Sequence, residues 1–143
     1  MTGRDFLESA GRLATSPEEA DWRNAASRAY YAAFHVARDL LTALRFRVPR
    51  ADRAHEYLYR RLNNCGHLAA QDAARLLHDL RTLRNRADYD LRLPFDKVDG
   101  IDSVDEAEQA IQGLEAVTPA EFTQITDAMK LYEQSVGDVT WQP

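Results

Sequence analysis

The side chains best suited to binding an anion lie close together in one short segment of the chain. The segment holds three arginines, an asparagine, an aspartate and a tyrosine: Arg81, Arg84, Asn85, Arg86, Asp88 and Tyr89. Arginine presents a planar fork of donors that matches phosphate oxygens, and an amide or a phenol can add a neutral hydrogen bond. The segment therefore predicts a compact anion-binding site. The alternative is structural, because Arg84 and Asp88 are one helical turn apart and a solvated ion pair at this spacing contributes only about 0.3 kcal/mol.

Metal and cofactor chemistry is not expected. The four histidines do not occur at the spacings with which bundle helices bind metals, and a single cysteine cannot build a zinc ribbon. The chain also lacks a glycine-rich phosphate loop and a Gly-x-Ser-x-Gly elbow. We therefore predict no metal and no organic cofactor.

The charge of the chain is unevenly distributed. The 143 residues carry a net charge of −5, which argues against indiscriminate nucleic-acid binding. The middle, residues 23–92, contains 14 arginines and 7 acidic residues, whereas residues 93–143 contain 2 lysines and 11 acidic residues. This pattern predicts either charge pairing between neighbouring helices or an anion-binding face on the middle segment. Four arginines in the connection after the long helix have the same two interpretations, a solvated turn or a phosphate-contacting rim: Arg45, Arg47, Arg50 and Arg53.

Apolar residues recur every three or four positions along almost the whole chain, which predicts helices and no sheet. The expected helices centre on residues 6–13, 22–44, 54–65, 73–87, 103–114 and 122–136. Their short connections favour antiparallel neighbours. The fold class we predict is an all-α, up-and-down bundle of about five to six helices.

Local signals predict where these helices begin and end. Serine or threonine followed three residues later by glutamate is a capping box, which places helix starts at Ser16, Ser103 and Thr118. Pro17 would then occupy the first helical position. Residues 91–102, which include a proline and a glycine, are expected to form a loop. Helix stops are expected at Gly66 and Gly137.

The size of the chain predicts one domain over residues 1–143. Its core is expected over about 5–92, with an acidic helical C-terminal extension over about 103–137. The extension can cover a basic cleft, extend an interface or complete the bundle. No apolar run is long enough to span a membrane, and one cysteine, Cys65, cannot form an internal disulfide. These features predict a cytoplasmic protein without a membrane segment.

Two motifs resemble the HEPN domain, the higher-eukaryote and prokaryote nucleotide-binding domain. Residues 27–35 read SRAYYAAFH and residues 83–89 read LRNRADY, similar to the small stand-alone prokaryotic members. The resemblance covers roughly residues 5–92. It implies a helical homodimer whose two protomers bring Arg/His motifs into one cleft that cuts RNA without a metal.

The family motif is an arginine, a polar residue, three variable residues and a histidine. Arg84 and Asn85 match the first two positions, whereas Tyr89 stands at the histidine position. A phenol with a pKa near about 10 is a poor general base at neutral pH, while an imidazole is a good one. His35 or His78 can substitute only if the fold brings one of them to Arg84. The resemblance therefore assigns catalysis to Arg84, Asn85 and Tyr89. Arg28, Arg81 and Arg86 are candidates for binding RNA or phosphate, and the alternative for each is a structural ion pair.

Two functions follow from the resemblance. The first is an RNA- or nucleotide-binding protein that acts as a toxin-like, metal-independent ribonuclease, with a nucleotidyltransferase-type antitoxin as its partner. The alternative is a non-catalytic dimeric interaction module that has lost the catalytic histidine. A helical DNA-binding protein is disfavoured by the net charge and by the lack of a helix-turn-helix signature.

Overall fold

The computed structural model describes all 143 residues and consists of helices joined by short connections. The helices are α1 (Gly3–Ala14), α2 (Glu19–Ala43), α3 (Arg53–Asn63), α4 (Leu68–Tyr89), α5 (Lys97–Glu115) and α6 (Phe122–Val136), with a 3-10 turn at Pro119–Glu121. The nearest approach to sheet structure is a single bridge between Phe46 and Trp141. The predicted all-α bundle is therefore confirmed, with six helices. No helix is both long enough and apolar enough to cross a membrane.

The long helix α2 occupies the centre of the bundle. It packs against α1, α3, α4 and α5, and six of its eight alanines are almost completely buried: Ala25, Ala26, Ala29, Ala32, Ala33 and Ala37. Small side chains on several faces allow four neighbours to approach one helix closely. The approach of α1 is so close that a Cβ at Gly3 would lie 2.5 Å from the carbonyl oxygen of Ala32. This packing fixes the positions of α3 and α4 relative to α2.

The predicted start of α2 at Ser16 is wrong, because the helix begins at Glu19 with Glu18 as its N-cap. The Ser16 hydroxyl donates to Asp21 Oδ2 at 2.5 Å and accepts from the backbone N–H of Glu18 at 3.3 Å. The Ser16 carbonyl accepts a hydrogen bond from Trp22 Nε1 at 2.6 Å. These bonds hold Ser16 in the connection before the helix.

The predicted loop over residues 91–102 is also wrong in its second half, because α5 begins at Lys97. The capping box is formed by Asp96 and Asp99, and both residues precede Ser103, the serine at which the helix was expected to start. Ser103 is buried within the helix, and its hydroxyl donates to the Asp99 carbonyl at 2.8 Å. The glycine at position 100 is needed for packing, since a Cβ there would lie 3.3 Å from the Trp22 backbone.

The remaining start and stop signals are confirmed. Thr118 and Glu121 form a reciprocal capping box before α6. Gly66 and Gly137 have positive φ angles of 74° and 70° and follow α3 and α6. Glycine adopts this left-handed conformation without the steric cost that a Cβ brings.

The acidic C-terminal part of the chain is paired with arginines elsewhere. Ion pairs join Asp99 to Arg86, Glu108 and Glu115 to Arg4, and Glu133 to Arg61. Apolar residues of α5 and α6 join the same core cluster as those of α2, α3 and α4. Charge pairing between helices therefore accounts for part of the uneven charge, and none of these ion pairs involves Arg84.

Candidate functional site

The last two turns of α4 present the Arg84 guanidinium between two aromatic rings. Its central carbon lies 5.2 Å from the ring centroid of Tyr31 on α2 and 5.6 Å from that of Tyr89. Arg84 Nη1 also donates to Asn85 Oδ1 at 3.1 Å. Helix α4 continues to Tyr89, so the Tyr89 ring lies near Arg84 while the last turn of the helix stays intact. The three residues of the predicted motif are thus in contact.

Arg84 also forms the one-turn ion pair with Asp88. Arg84 Nε lies 2.9 Å from Asp88 Oδ2, and the two side chains are only 16% and 26% exposed. The N–H is not directed at that oxygen, so Arg84 Nε is the one fully buried side-chain nitrogen or oxygen of the chain without a hydrogen bond. Ser27 Oγ on α2 is 3.4 Å from the same carboxylate oxygen. The pair is therefore partly buried, in contrast to the solvated pair of the structural alternative, and it leaves donors of Arg84 free.

A histidine that the sequence motifs do not include lies near this arginine, because the Tyr31 ring that contacts Arg84 also lies 6.2 Å from the ring of His55. His55 of α3 is buried, and its Nδ1 is hydrogen-bonded to the hydroxyl of Tyr30 on α2. Burial lowers the pKa of His55 below its ordinary value of 6.5, and the positive charges of Arg81 and Arg84 lower it further. Burial raises the pKa of Tyr30, so its phenol stays protonated. At neutral pH the site therefore contains a neutral imidazole.

The position of His55 was hidden because it depends on how α3 packs against α4. In the sequence it lies next to Ala54, at the edge of the apolar stripe of α3, and this was the only local signal. Its Nε2 has no hydrogen-bond partner in the chain, and it is not among the fully buried unpaired atoms. This nitrogen is therefore available to a ligand.

The two histidines considered from the sequence make other contacts. His35 stacks on Phe6 of α1 with ring centroids 5.1 Å apart. His78 packs against Tyr59 of α3 at 5.0 Å. Neither forms a hydrogen bond or an ion pair with Arg84.

The other predicted binding arginines are divided between two regions. Arg81 faces α3, where its Nη1 lies 3.7 Å from Glu56 Oε2. Arg86 instead pairs with Asp99 at 2.9 Å and lies over the Phe95 ring, at the junction of α4 and α5. Arg28 is exposed and lies over the Phe6 ring of α1 at 5.5 Å. Of the three, the structure thus brings only Arg81 to the side of the bundle where His55 and Arg84 meet.

A buried arginine on α2 holds the end of α4 in place. Arg23 Nη1 donates to the carbonyl oxygens of Ala87 and Asp90 at 2.9 and 3.3 Å, and Nη2 donates to that of Leu93. Helix ends leave carbonyl groups without partners, and a cation satisfies both their hydrogen bonds and the helix dipole. Arg23 therefore positions the turn that carries Asp88 and Tyr89. No three His, Cys, Asp or Glu side chains converge on this turn or elsewhere in the manner of a metal site.

Comparison with known families agrees with the all-α fold. The family model of the HEPN domain matches residues 2–120, so the chain belongs to the HEPN domain family. Membership supports a nucleotide- or RNA-related function, and domains of this family often dimerise. No curated protein and no solved structure matches the chain. Helix α6 and the segment after it lie outside the matched residues.

Proposed function

We propose that the protein binds RNA at the Arg84 site and cleaves it without a metal ion. The observation that carries this proposal is the Arg84 guanidinium, held between two aromatic rings with free donors, beside the neutral imidazole of His55. Arginine donors bind a phosphate, aromatic rings accept a stacked base, and a neutral imidazole accepts a proton. These are the groups that cleavage of an RNA strand by its own 2′-hydroxyl requires.

In the proposed reaction, His55 Nε2 takes the proton of the 2′-hydroxyl as its oxygen attacks the adjacent phosphorus. The bond from phosphorus to the 5′ oxygen breaks, that oxygen takes a proton from solvent, and a 2′,3′-cyclic phosphate remains. Arg84 and Arg81 stabilise the negative charge on the phosphate oxygens. Asn85 fixes Arg84, and the Tyr89 hydroxyl donates a hydrogen bond to the phosphate. This chemistry requires the His55 tautomer in which Nδ1–H donates to Tyr30 and Nε2 carries the lone pair.

The test is cleavage of a mixed RNA pool in EDTA. We expect the wild type to cleave, Arg84→Ala to be inactive, and His55→Gln to be slower by about 100-fold or more, the usual contribution of a general base. His78→Gln is the matched control, because it removes a histidine that faces α3 away from Arg84, and it should retain full activity. A wild type that cleaves no RNA in EDTA would contradict the proposal.

A non-catalytic interaction module is the second candidate, favoured by the tyrosine at the histidine position of the motif. In that case the wild type is inactive on varied RNAs and the dimer is stable. Tyr89→His then gains activity because it restores the imidazole of the motif beside Arg84. Loss of activity in Arg84→Ala from an active wild type would exclude this candidate.

We further assign the protein to a homodimer in the cytoplasm, as the toxin-like half of a pair with a nucleotidyltransferase-type antitoxin. Three large side chains at and after the end of α4 support the dimer because they are exposed: Tyr89, Leu91 and Leu93. Tyr89 is also 69% exposed and its ring lies 5.6 Å from the Arg84 guanidinium carbon, which suits its hydroxyl to accept a nucleotide from such a partner. A free buried thiol, Cys65, suits a reducing compartment. Mass spectrometry of the chain after incubation with its antitoxin and nucleoside triphosphates tests the modification of Tyr89.

A further inference from the structure

A second cleft, away from Arg84, lies between α3, the connection that precedes it, and α6 with the C-terminal segment. Its volume is about 600 Å³, within the range of roughly 300–1,000 Å³ that is usual for ligand sites. One wall is formed by Tyr132 of α6 and by Thr140, both outside the residues matched to the family. The cleft is thus completed by a part of the chain that the family domain does not include.

The floor of the cleft is a buried arginine between two tyrosines. The central carbon of the Arg61 guanidinium lies 3.7 Å from the ring centroid of Tyr57 and 5.6 Å from that of Tyr132. Its charge is matched by Glu133 at 3.1 Å and by Asp138 at 2.9 Å. Arg61 therefore has a structural role. The Tyr57 ring is buried beneath it, so the partly exposed ring of Tyr132 is the aromatic surface that the cleft offers.

The rim of the cleft keeps positive charge that no carboxylate matches. Arg47 and Arg53 are exposed and form no ion pair, and the one side-chain hydrogen bond of Arg47 goes to the neutral amide of Gln142 at 3.1 Å. Arg60 completes the rim and pairs with Glu56 at 2.7 Å. Unmatched arginines around aromatic rings are the combination that binds single-stranded nucleic acid, through the phosphates and the faces of the bases.

The rim continues toward the Arg84 site. The carboxylate of Glu56 lies between Arg60, at 2.7 Å, and Arg81, at 3.7 Å. Its neighbour His55 carries the imidazole whose pKa is lowered by both Arg81 and Arg84. Basic side chains thus follow α3 from one site to the other.

We propose that this cleft is a second RNA subsite, which holds a flanking nucleotide of the single strand bound at Arg84. The phosphate of that nucleotide contacts Arg47 and Arg53, and its base packs against Tyr132. This assignment rests on the proposed function for the choice of RNA as the ligand, while its own evidence is the cleft and its unmatched rim.

The experiment measures the affinity of the full chain for labelled single-stranded RNA of about 12 nucleotides across a range of salt concentrations. The variant is Arg47→Gln/Arg53→Gln, and the matched control is Arg12→Gln/Arg75→Gln, which removes two exposed arginines far from the cleft. For single-stranded RNA, the loss of one phosphate contact reduces the magnitude of the slope of log K against log[salt] by about 0.7. At about 0.1 M salt this corresponds to a loss of about fivefold in affinity. We expect that loss for the cleft variant and no change for the control.

Parallel measurements with Arg84→Ala separate the two proposals. If Arg84→Ala weakens binding and the cleft variant behaves like its control, the cleft proposal is overturned and the Arg84 site stands. If only the cleft variant weakens binding, the cleft stands and the Arg84 site is overturned. If the wild type binds no RNA, both fail. A further outcome is that a nucleoside monophosphate binds through Arg53 and that a longer RNA binds no more tightly. That result overturns the assignment of the cleft to an RNA strand and favours a free nucleotide.

Discussion

At the scale of single residues, the site depends on an imidazole that is kept neutral by its surroundings. His55 is buried, its Nδ1 is bonded to Tyr30, and two arginines lie close enough to disfavour a second positive charge. In the proposed function the same arginines bind the phosphate of the RNA. One set of charges then both binds the anion and keeps the base unprotonated.

This environment makes the stability of the protein depend on pH. Because the pKa of His55 is lower in the folded chain than its ordinary 6.5, the unfolded chain binds more protons between those two values. Stability therefore falls as the pH drops through this window and is recovered as the pH rises above about 6.5. Urea denaturation at a series of pH values should show the fall in the wild type and a smaller fall in His55→Gln. Some dependence should remain in the variant because burial also lowers the pKa of His35.

The His78→Gln variant is the control for this prediction, since His78 lies on the surface of α4 and should leave the pH dependence as it is in the wild type. An equal fall in wild type and His55→Gln would show that His55 is not held neutral by the fold.

At the scale of helices, periodicity predicts the elements well and their starts poorly. The apolar stripes are local in sequence, so six helices could be predicted, and glycine stops are local as well. A serine followed three residues later by a glutamate, in contrast, occurs both at the N-cap of a helix and in its interior. At Ser103 an earlier pair, Asp96 and Asp99, caps α5 instead, and Gly100 lies within the helix, where it packs closely against Trp22.

The same difference between local and long-range information separates the predicted site from the observed one. Arg84, Asn85 and Tyr89 could be grouped from the sequence because they share two turns of one helix. His55 could not, because its place depends on the packing of α3 against α4 and α2. Arg23 is likewise far away in sequence, yet it holds the helix end that carries Tyr89.

The role of Arg23 predicts that Arg23→Met loosens the end of α4. The variant removes the donors to the Ala87, Asp90 and Leu93 carbonyls, which should lower the free energy of unfolding by about 2 kcal/mol. Hydrogen exchange should become faster in the last turn of α4 more than in its first half, and RNA affinity should fall with it. Arg75→Met, on the exposed face of the same helix, is the matched control. Uniform exchange rates along α4 in Arg23→Met would show that Arg23 does not position this turn.

At the scale of the whole molecule, the net charge of −5 conceals where the unmatched charge lies. Carboxylates of α5 and α6 neutralise Arg4, Arg61 and Arg86, so much of the acidic surplus is used in packing the bundle. The arginines of the α2–α3 connection form no ion pairs and remain available at the surface. The local field at the proposed RNA surface is therefore positive on a protein that is acidic overall.

The exposed apolar side chains are unevenly placed too, and this predicts where the proposed homodimer forms. Tyr89, Leu91 and Leu93 are 69%, 70% and 54% exposed. Exposed apolar side chains of this size at alternate positions of one segment mark an interaction surface. We expect Leu91→Lys/Leu93→Lys to be monomeric in light scattering at roughly 1–100 μM, where the wild type is dimeric. Its helix content should be unchanged, because these side chains are not part of the core.

The matched control for this prediction is Leu131→Lys on α6. Leu131 is 67% exposed, so the control makes an equivalent substitution at an equally exposed leucine away from the α4 end. If the two protomers form one cleft, the monomeric double variant should lose RNA cleavage together with dimerisation, and Leu131→Lys should keep both. Two results would show that the end of α4 is not the dimer surface. The first is a wild type that is monomeric throughout this concentration range, and the second is a control that dissociates as readily as the double variant. Cleavage that survives in the monomer would mean that each protomer contains a complete site, with His55 in place of any residue from a second copy.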